Sequence, residues 1–96
     1  MKGWESEVLK PVYTKQFEKD IRLAIRRGMD MEKLKEVIRK IVAGQILEAS
    51  LRDHVLVGNY QGRRECHVQP DWLLIYKLES DEVIFERNGT HSDLFR

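Results

Sequence analysis

Apolar residues recur at helical spacing twice in the first half of the chain. Phe17, Ile21, Ala24 and Ile25 return every three or four positions, with charged residues between them. This period marks the buried face of an amphipathic helix. Thr14 stands before the run as its N-cap, and Gly28 follows as the residue that closes a helix. Asp30 caps a second helix, whose stripe is Leu34, Val37, Ile38, Ile41 and Val42, and Gly44 closes it. Met29, ahead of the cap, and Leu34 have the spacing of a hydrophobic staple. The short link between the two runs predicts an αα-hairpin.

The flanking segments read as strands. Val8 to Tyr13 is a short one, and Pro11 inside it cannot donate to a ladder, which places it at a sheet edge. Residues 45–62 carry Ile46, Leu47 and Leu51 without a clean period. They predict a connection with one turn of helix, and a strand beginning at Val55 to Tyr60 that Gly58 interrupts. Gly62 to Val68 is a better strand, and Pro70 with Asp71 marks a turn. Trp72 to Leu78 is the strongest strand, with Leu73 and Ile75 on one face and Trp72, Leu74 and Tyr76 on the other. Apolar residues on both faces describe a central strand. Glu79 to Glu82 is a polar hairpin connection, Val83 to Arg87 the last strand, and Gly89 its end before a short tail to Arg96. The order β-α-α-β-β-β predicts an α+β domain. Its mostly antiparallel sheet of about four strands has the helical hairpin on one face and the other face partly open.

Composition bounds this picture. The 96 residues suit one domain with one modest core, residues 1–96. With 42% hydrophobic and 34% charged residues, the chain has enough apolar surface to fold, which argues against disorder. Net charge is only +1, from 17 basic and 16 acidic residues, so the distribution of charge matters more than its sum. The bland reading of the basic residues between Arg22 and Lys40 is a solvated helix face. The single cysteine, Cys66, excludes an intrachain disulfide and fits a reducing cytoplasm. The first ten residues lack the apolar segment of a signal peptide, and no stretch has the length of a membrane span. A soluble cytoplasmic protein with no membrane partner is expected.

The chemistry-bearing residues lie after the hairpin. His54, His67 and His91 are the three histidines, each beside a turn or a strand end. With Asp71 they match zinc in ligand type, although their spacing carries no metal-binding signature. The same residues suit metal-free RNA cleavage. There the ribose 2′-OH attacks the adjacent phosphate, with histidine as acid or base and arginine as a bidentate phosphate partner. Phe95 or Trp72 could stack on a base. Against this stands a plain structural account: strand-end histidines as exposed or capping residues, Trp72 as core, Arg63 and Arg64 as surface charges. Composition and spacing leave these readings open.

The order of residues adds more. Arg52-Asp53-His54, then Gly62-Arg63-Arg64-Glu65-Cys66-His67-Val68-Gln69-Pro70-Asp71-Trp72, then Gly89-Thr90-His91 and Leu94-Phe95 together resemble the YafQ branch of the RelE toxin superfamily. The likeness extends back through Met29-Asp30-Met31 and Leu34. It implies a small α+β fold and an mRNA interferase that cuts mRNA in the ribosomal A site without a metal or other cofactor. It also implies a cognate antitoxin that silences the enzyme. Carried over by motif, the active-site residues are His54, His67, Asp71, His91 and Phe95, with Trp72 beside them. His91 is the expected general acid, Asp71 or another histidine the base, and Phe95 the residue that orients the mRNA base or the histidine. Arg64 and Arg87 are candidates for RNA phosphate contacts. A ribosome-facing surface would draw on Arg22, Arg26, Arg27, Lys33 and Lys40. Two departures stand out: Asn88 occupies a position expected to hold a small hydroxyl residue, and residues 45–51 match poorly. The competing functions are a binding module without cleavage activity and a metal-dependent hydrolase built on the same histidines.

Overall fold

A computed structural model describes residues 8–95; the polar lead-in expected over residues 1–7 and the terminal Arg96 lie outside them. The strands are β1 (Lys10–Tyr13), β2 (His54–Val55), β3 (Arg64–Gln69), β4 (Trp72–Glu79) and β5 (Glu82–Gly89). The helices are α1 (Lys15–Arg26), α2 (Met31–Val42) and the single-turn α3 (His91–Leu94). One sheet takes the order β1-β5-β4-β3-β2, antiparallel except where β1 runs parallel to β5. The most apolar strand, β4, is therefore central and Pro11 sits on the edge strand, both as the sequence predicts.

The helices begin and end where their capping residues stand. Thr14 accepts the Phe17 N–H at 2.9 Å and donates its hydroxyl to the Glu86 carbonyl at 2.9 Å, which ties the start of α1 to β5. Asp30 accepts the Glu32 N–H at 3.1 Å. After α1, Gly28 adopts φ +74° and donates to the Ile25 carbonyl, while Met29 donates to Ala24. Gly44 and Gln45 repeat the pattern on Ile41 and Lys40. Only a left-handed residue lets these paired bonds close the last turn, which is the physical reason for glycine at both sites.

Helices and sheet meet in a core of Phe17, Ala24, Leu34, Val37 and Ile41 against Cys66, Val68, Trp72, Leu74, Tyr76, Val83 and Phe85. Each of the larger side chains contributes on the order of 1.5–3 kcal/mol through removal from water. Burial pushes the Cys66 thiol up to about 12, so this cysteine is a small core residue. No helix among the described residues is long and apolar enough to cross a membrane.

The structure corrects two expectations and adds a helix. The strand expected over Val55 to Tyr60 shrinks to His54–Val55, and Gly58–Tyr60 forms a 3-10 turn that begins at Gly58 with φ +71°. Within the short C-terminal tail, Thr90 and Asp93 cap α3 reciprocally. The second sheet face is also less open than predicted: Leu94, Leu56 and Tyr60 cover Leu73 and Ile75.

Two irregularities in strand pairing set the direction of polar side chains. Between Ile75 and Tyr76 the partners on β5 jump from Arg87 to Phe85, leaving Glu86 as a bulge. Between His67 and Gln69 the pairing with β4 skips Val68 in the same way. Bulges re-aim the side chains beyond them.

Candidate active site

His67 pairs with Leu73, and Leu73 with Gly89 on its other side. The C-terminal ends of β3 and β5 therefore flank the start of β4 at one level, on the sheet face away from the helical hairpin. Two groups of polar side chains assemble there.

The first group surrounds Glu65. This residue pairs with His54 across β2 and β3, and alternation along β3 puts its side chain on the same face as His67. Only 4% of Glu65 is exposed. Its Oε1 lies 3.2 Å from His54 Nε2 and 3.7 Å from His67 Nε2, and the two imidazole rings are 6.4 Å apart. The opposite ring nitrogens face backbone carbonyls: Nδ1 of His54 is 2.7 Å from the Arg52 oxygen, and Nδ1 of His67 is 3.4 Å from the Pro70 oxygen. Arg52 turns its carbonyl toward His54 by adopting a left-handed conformation, φ +53°. Such a backbone in a non-glycine residue costs on the order of 1 kcal/mol.

The second group gathers on α3. Asp71, in the turn between β3 and β4, accepts the backbone N–H of His91 at 3.0 Å. Asp93 accepts the Thr90 N–H at 2.9 Å and pairs with Arg27 of α1 at 2.7 Å. The Arg27 guanidinium, helped by the Thr90 bonds, holds the Asp93 carboxyl well below the usual carboxylate range. Residues four apart on a helix share a face. The rings of His91 and Phe95 accordingly stand 5.1 Å apart, and Tyr60 meets Phe95 edge-on at 5.5 Å. His91 and Phe95 are both exposed.

Of the sequence-predicted residues, His54 and His67 thus come together, and so do Asp71, His91 and Phe95. The Pro70–Asp71 turn links the groups, since it touches His67 on one side and His91 on the other. Trp72 and Arg64 do not join them. Trp72 is 1% exposed, packs in the helix-side core and donates its indole N–H to Asn88 Oδ1 at 3.2 Å, so its ring offers no stacking surface. Arg64 projects from the opposite side of β3 and is held by Asp53 at 2.8 Å, which also accepts the Tyr76 hydroxyl at 2.5 Å. Arg87 lies just past the Glu86 bulge and shares its face with Ile75, but its guanidinium reaches Asp20 at 2.9 Å. Asp20 further accepts the Asn88 N–H at 3.0 Å, so Arg87 comes to any substrate with its charge already compensated.

Sequence reasoning missed Glu65. The available signal is parity, since Glu65 stands two residues before His67 in a strand. It also missed Tyr60, whose hydroxyl donates to the Leu94 carbonyl at 3.4 Å and helps seat α3. Beside His67 a cleft of about 530 Å³ is lined by Lys33, Ser50, Arg52 and Gln69, which puts two cations next to an imidazole. Among the described residues no group of three or more His, Cys, Asp and Glu side chains is placed to hold a metal ion. What the arrangement offers is proton transfer between imidazoles and carboxylates beside a cationic cleft.

Comparisons with known proteins identify the family and agree with the fold. The family described as the bacterial toxin of type II toxin–antitoxin system, YafQ, matches residues 9–96. The mRNA interferase toxin YafQ of Escherichia coli is 45% identical over 84 residues, covering 86% of this chain and 91% of that protein. The crystal structure of the E. coli DinJ–YafQ toxin–antitoxin complex contains a chain that superposes with a TM-score of 0.86 at 43% identity, over 92% of this chain and 98% of that one. A crystal structure of YafQ from E. coli superposes with a TM-score of 0.88 at 42% identity, over 92% and 99% of the two chains. With the family matched along almost its whole length and the α+β fold shared with these toxins, the chain belongs to the YafQ family of type II toxin–antitoxin toxins.

Proposed function

We propose that this protein is a ribosome-dependent endoribonuclease that cuts mRNA in the A site and so inhibits translation. The observation that carries the reading is the pairing of an exposed acid–base residue, His91, with an aromatic ring, Phe95, on a turn anchored by Asp71. The name of the E. coli relative, an mRNA interferase, supports the substrate class.

The reaction needs no group beyond those of the chain and the RNA. The ribose 2′-oxygen forms a bond to the adjacent phosphorus, and the bond from phosphorus to the 5′-oxygen breaks. A base removes the 2′-OH proton, and His91 delivers a proton to the departing 5′-oxygen. The products are a 2′,3′-cyclic phosphate and a 5′-OH end. Asp71 or His67, whose Nε2 lies beyond hydrogen-bond distance of Glu65, serves as the base. Phe95 leans on the His91 ring at a tilt and stacks against an RNA base. Lys33 and Arg52 supply the cations that a phosphate needs in the cleft beside His67.

The protein acts in the cytoplasm, where ribosomes and mRNA are its partners. A cognate antitoxin silences it, by analogy with the E. coli toxin that was crystallised with DinJ. The test is a cleavage map of mRNA on programmed ribosomes. Wild-type protein is expected to generate new 5′-OH ends at the A-site codon, and His91→Ala to generate none. Cleavage that stops when a zinc-selective chelator is added at constant magnesium would point to a metal-dependent hydrolase. Intact mRNA with bound protein would point to a binding module.

A further inference from the structure

We propose that Glu65 is a positioning residue for this chemistry: one buried carboxylate binds His54 through Nε2 and stands within ion-pair reach of His67 Nε2. The inference rests on the endoribonuclease reading for its consequence, but not for its geometry.

The ring nitrogens define the arrangement. A backbone carbonyl only accepts, so the Nδ1 atoms facing Arg52 and Pro70 carry hydrogens. The Nδ1 contact of His54 is short, 2.7 Å, and its Nε2 stands 3.2 Å from Glu65 Oε1. An ionised carboxylate also only accepts. The contact therefore requires one proton between His54 and Glu65, held on the ring or on the carboxyl. His67 approaches the same oxygen at 3.7 Å. His54 is thus held at both ring nitrogens, by backbone at one and by the carboxylate at the other, while His67 lies within ion-pair reach of the same oxygen and beyond hydrogen-bond distance.

The burial of Glu65 is otherwise hard to account for. Its Oε2 is buried without a hydrogen-bond partner. On β4 its neighbour is the apolar Ile75, which is fully buried. The polar groups that face it are the His54 ring from β2 and the His67 ring from its own strand. A leucine at this position would pack on Ile75 and leave no unpaired oxygen, so the carboxylate is unfavourable for the fold alone. Residues that orient an acid or a base are frequently of this kind: buried, polar and behind the reacting ring.

Glu65→Gln retains the shape and removes the charge, and Glu65→Asp retains the charge with a shorter reach. Two readouts separate positioning from general structure. In ¹⁵N NMR of the purified protein, the Nε2 signals of His54 and His67 are expected to move between wild type and Glu65→Gln, where an amide replaces the carboxylate, while Nδ1 of His54 stays protonated on the Arg52 carbonyl in both. In single-turnover cleavage on ribosomes, Glu65→Gln is expected to lower kcat by about tenfold or more with KM unchanged, as for other orienting partners. Glu65→Asp is expected to recover part of that loss. Unaltered ring signals in both variants, or full turnover by a folded Glu65→Gln, would overturn the proposal. Should Glu65→Gln fail to fold, Glu65→Asp alone decides by its ring signals. Altered ring signals in a protein whose wild type does not cleave RNA would retain the positioning and remove the proposed function.

Discussion

The Asp71 carboxylate accepts the backbone N–H of His91, twenty residues further along the chain, at 3.0 Å. A turn at the start of the central strand therefore fixes the first residue of α3, and with it the base of the His91 side chain. A negative charge at that helix end is also favourable for the unpaired N–H groups there. Asp71 can thus serve in two ways, as an anchor and as a base. Asp71→Asn retains an acceptor for the N–H, whereas Asp71→Ala does not. Asn is expected to retain several-fold more cleavage than Ala if anchoring dominates, measured as single-turnover rates on ribosomes. Equal losses in the two variants would assign Asp71 to proton transfer.

His91 and Phe95 are both exposed, Phe95 at 37% with its ring against those of Tyr60 and His91. His91→Ala is expected to relieve growth arrest and to lower cleavage by about 10²–10⁴-fold, the usual contribution of a general acid. Phe95→Ala is expected to lose a smaller factor, about tenfold, from one lost stacking contact. Circular dichroism should show both variants folded, and toxicity retained by His91→Ala at equal expression would remove it from the reaction.

The five cations considered for ribosome contact are not equivalent. Arg27 pairs with Asp93, and Lys40 pairs with Glu48 at 2.6 Å. Lys33 lines the cleft beside His67. Lys33→Glu is therefore expected to weaken RNA or ribosome binding more than Lys40→Glu does. Replacing one phosphate-contacting cation should reduce the slope of log K against log salt by about one. A slope that does not change for Lys33→Glu would remove it from the interface.

Much of the fold was readable because local chemistry and hydrophobic period agree. Thr14, Gly28, Asp30 and Gly44 bound the helices, and two apolar faces marked β4 as central. The parallel pairing of β1 with β5 was not readable, since it joins segments far apart in sequence through no local signal. Residues 45–62 have no period, because only His54 and Val55 among them enter the sheet. In the site, parity decides. Alternation along β3 puts Glu65 and His67 on one face and Arg64 on the other, so the separation of Arg64 from the histidines follows from the pattern. Trp72 shares a face with Leu74 and Tyr76, which already implied its burial. Asn88 is different: the Glu86 bulge breaks the alternation that starts at Val83 and Phe85, turning Asn88 inward onto Trp72 and Arg87 outward. No pattern in the sequence announces that bulge.

The Arg27–Asp93 pair makes a prediction about acid stability. The folded-state pKa of Asp93 is depressed, so the pair stabilises the protein above the unfolded carboxylate value, about 3.9. That contribution declines as pH falls below this value and is lost as the folded value is passed. Asp93→Asn is expected to lower Tm at pH 7 and to narrow its deficit as the pH drops toward about 3. A deficit that stays constant across that range would show that capping of Thr90, and not charge, is what Asp93 contributes.

Because α3 is one turn long, its order depends on contacts with distant parts of the chain: Asp71, Arg27 and Tyr60. Such a unit opens at a lower free energy than the sheet beneath it. His91 and Phe95 therefore belong to a less cooperative part of the molecule than the sheet, on whose strand β3 His67 stands. Inactivation and unfolding become separable events, and amide exchange at His91 and Phe95 should run ahead of exchange in β4.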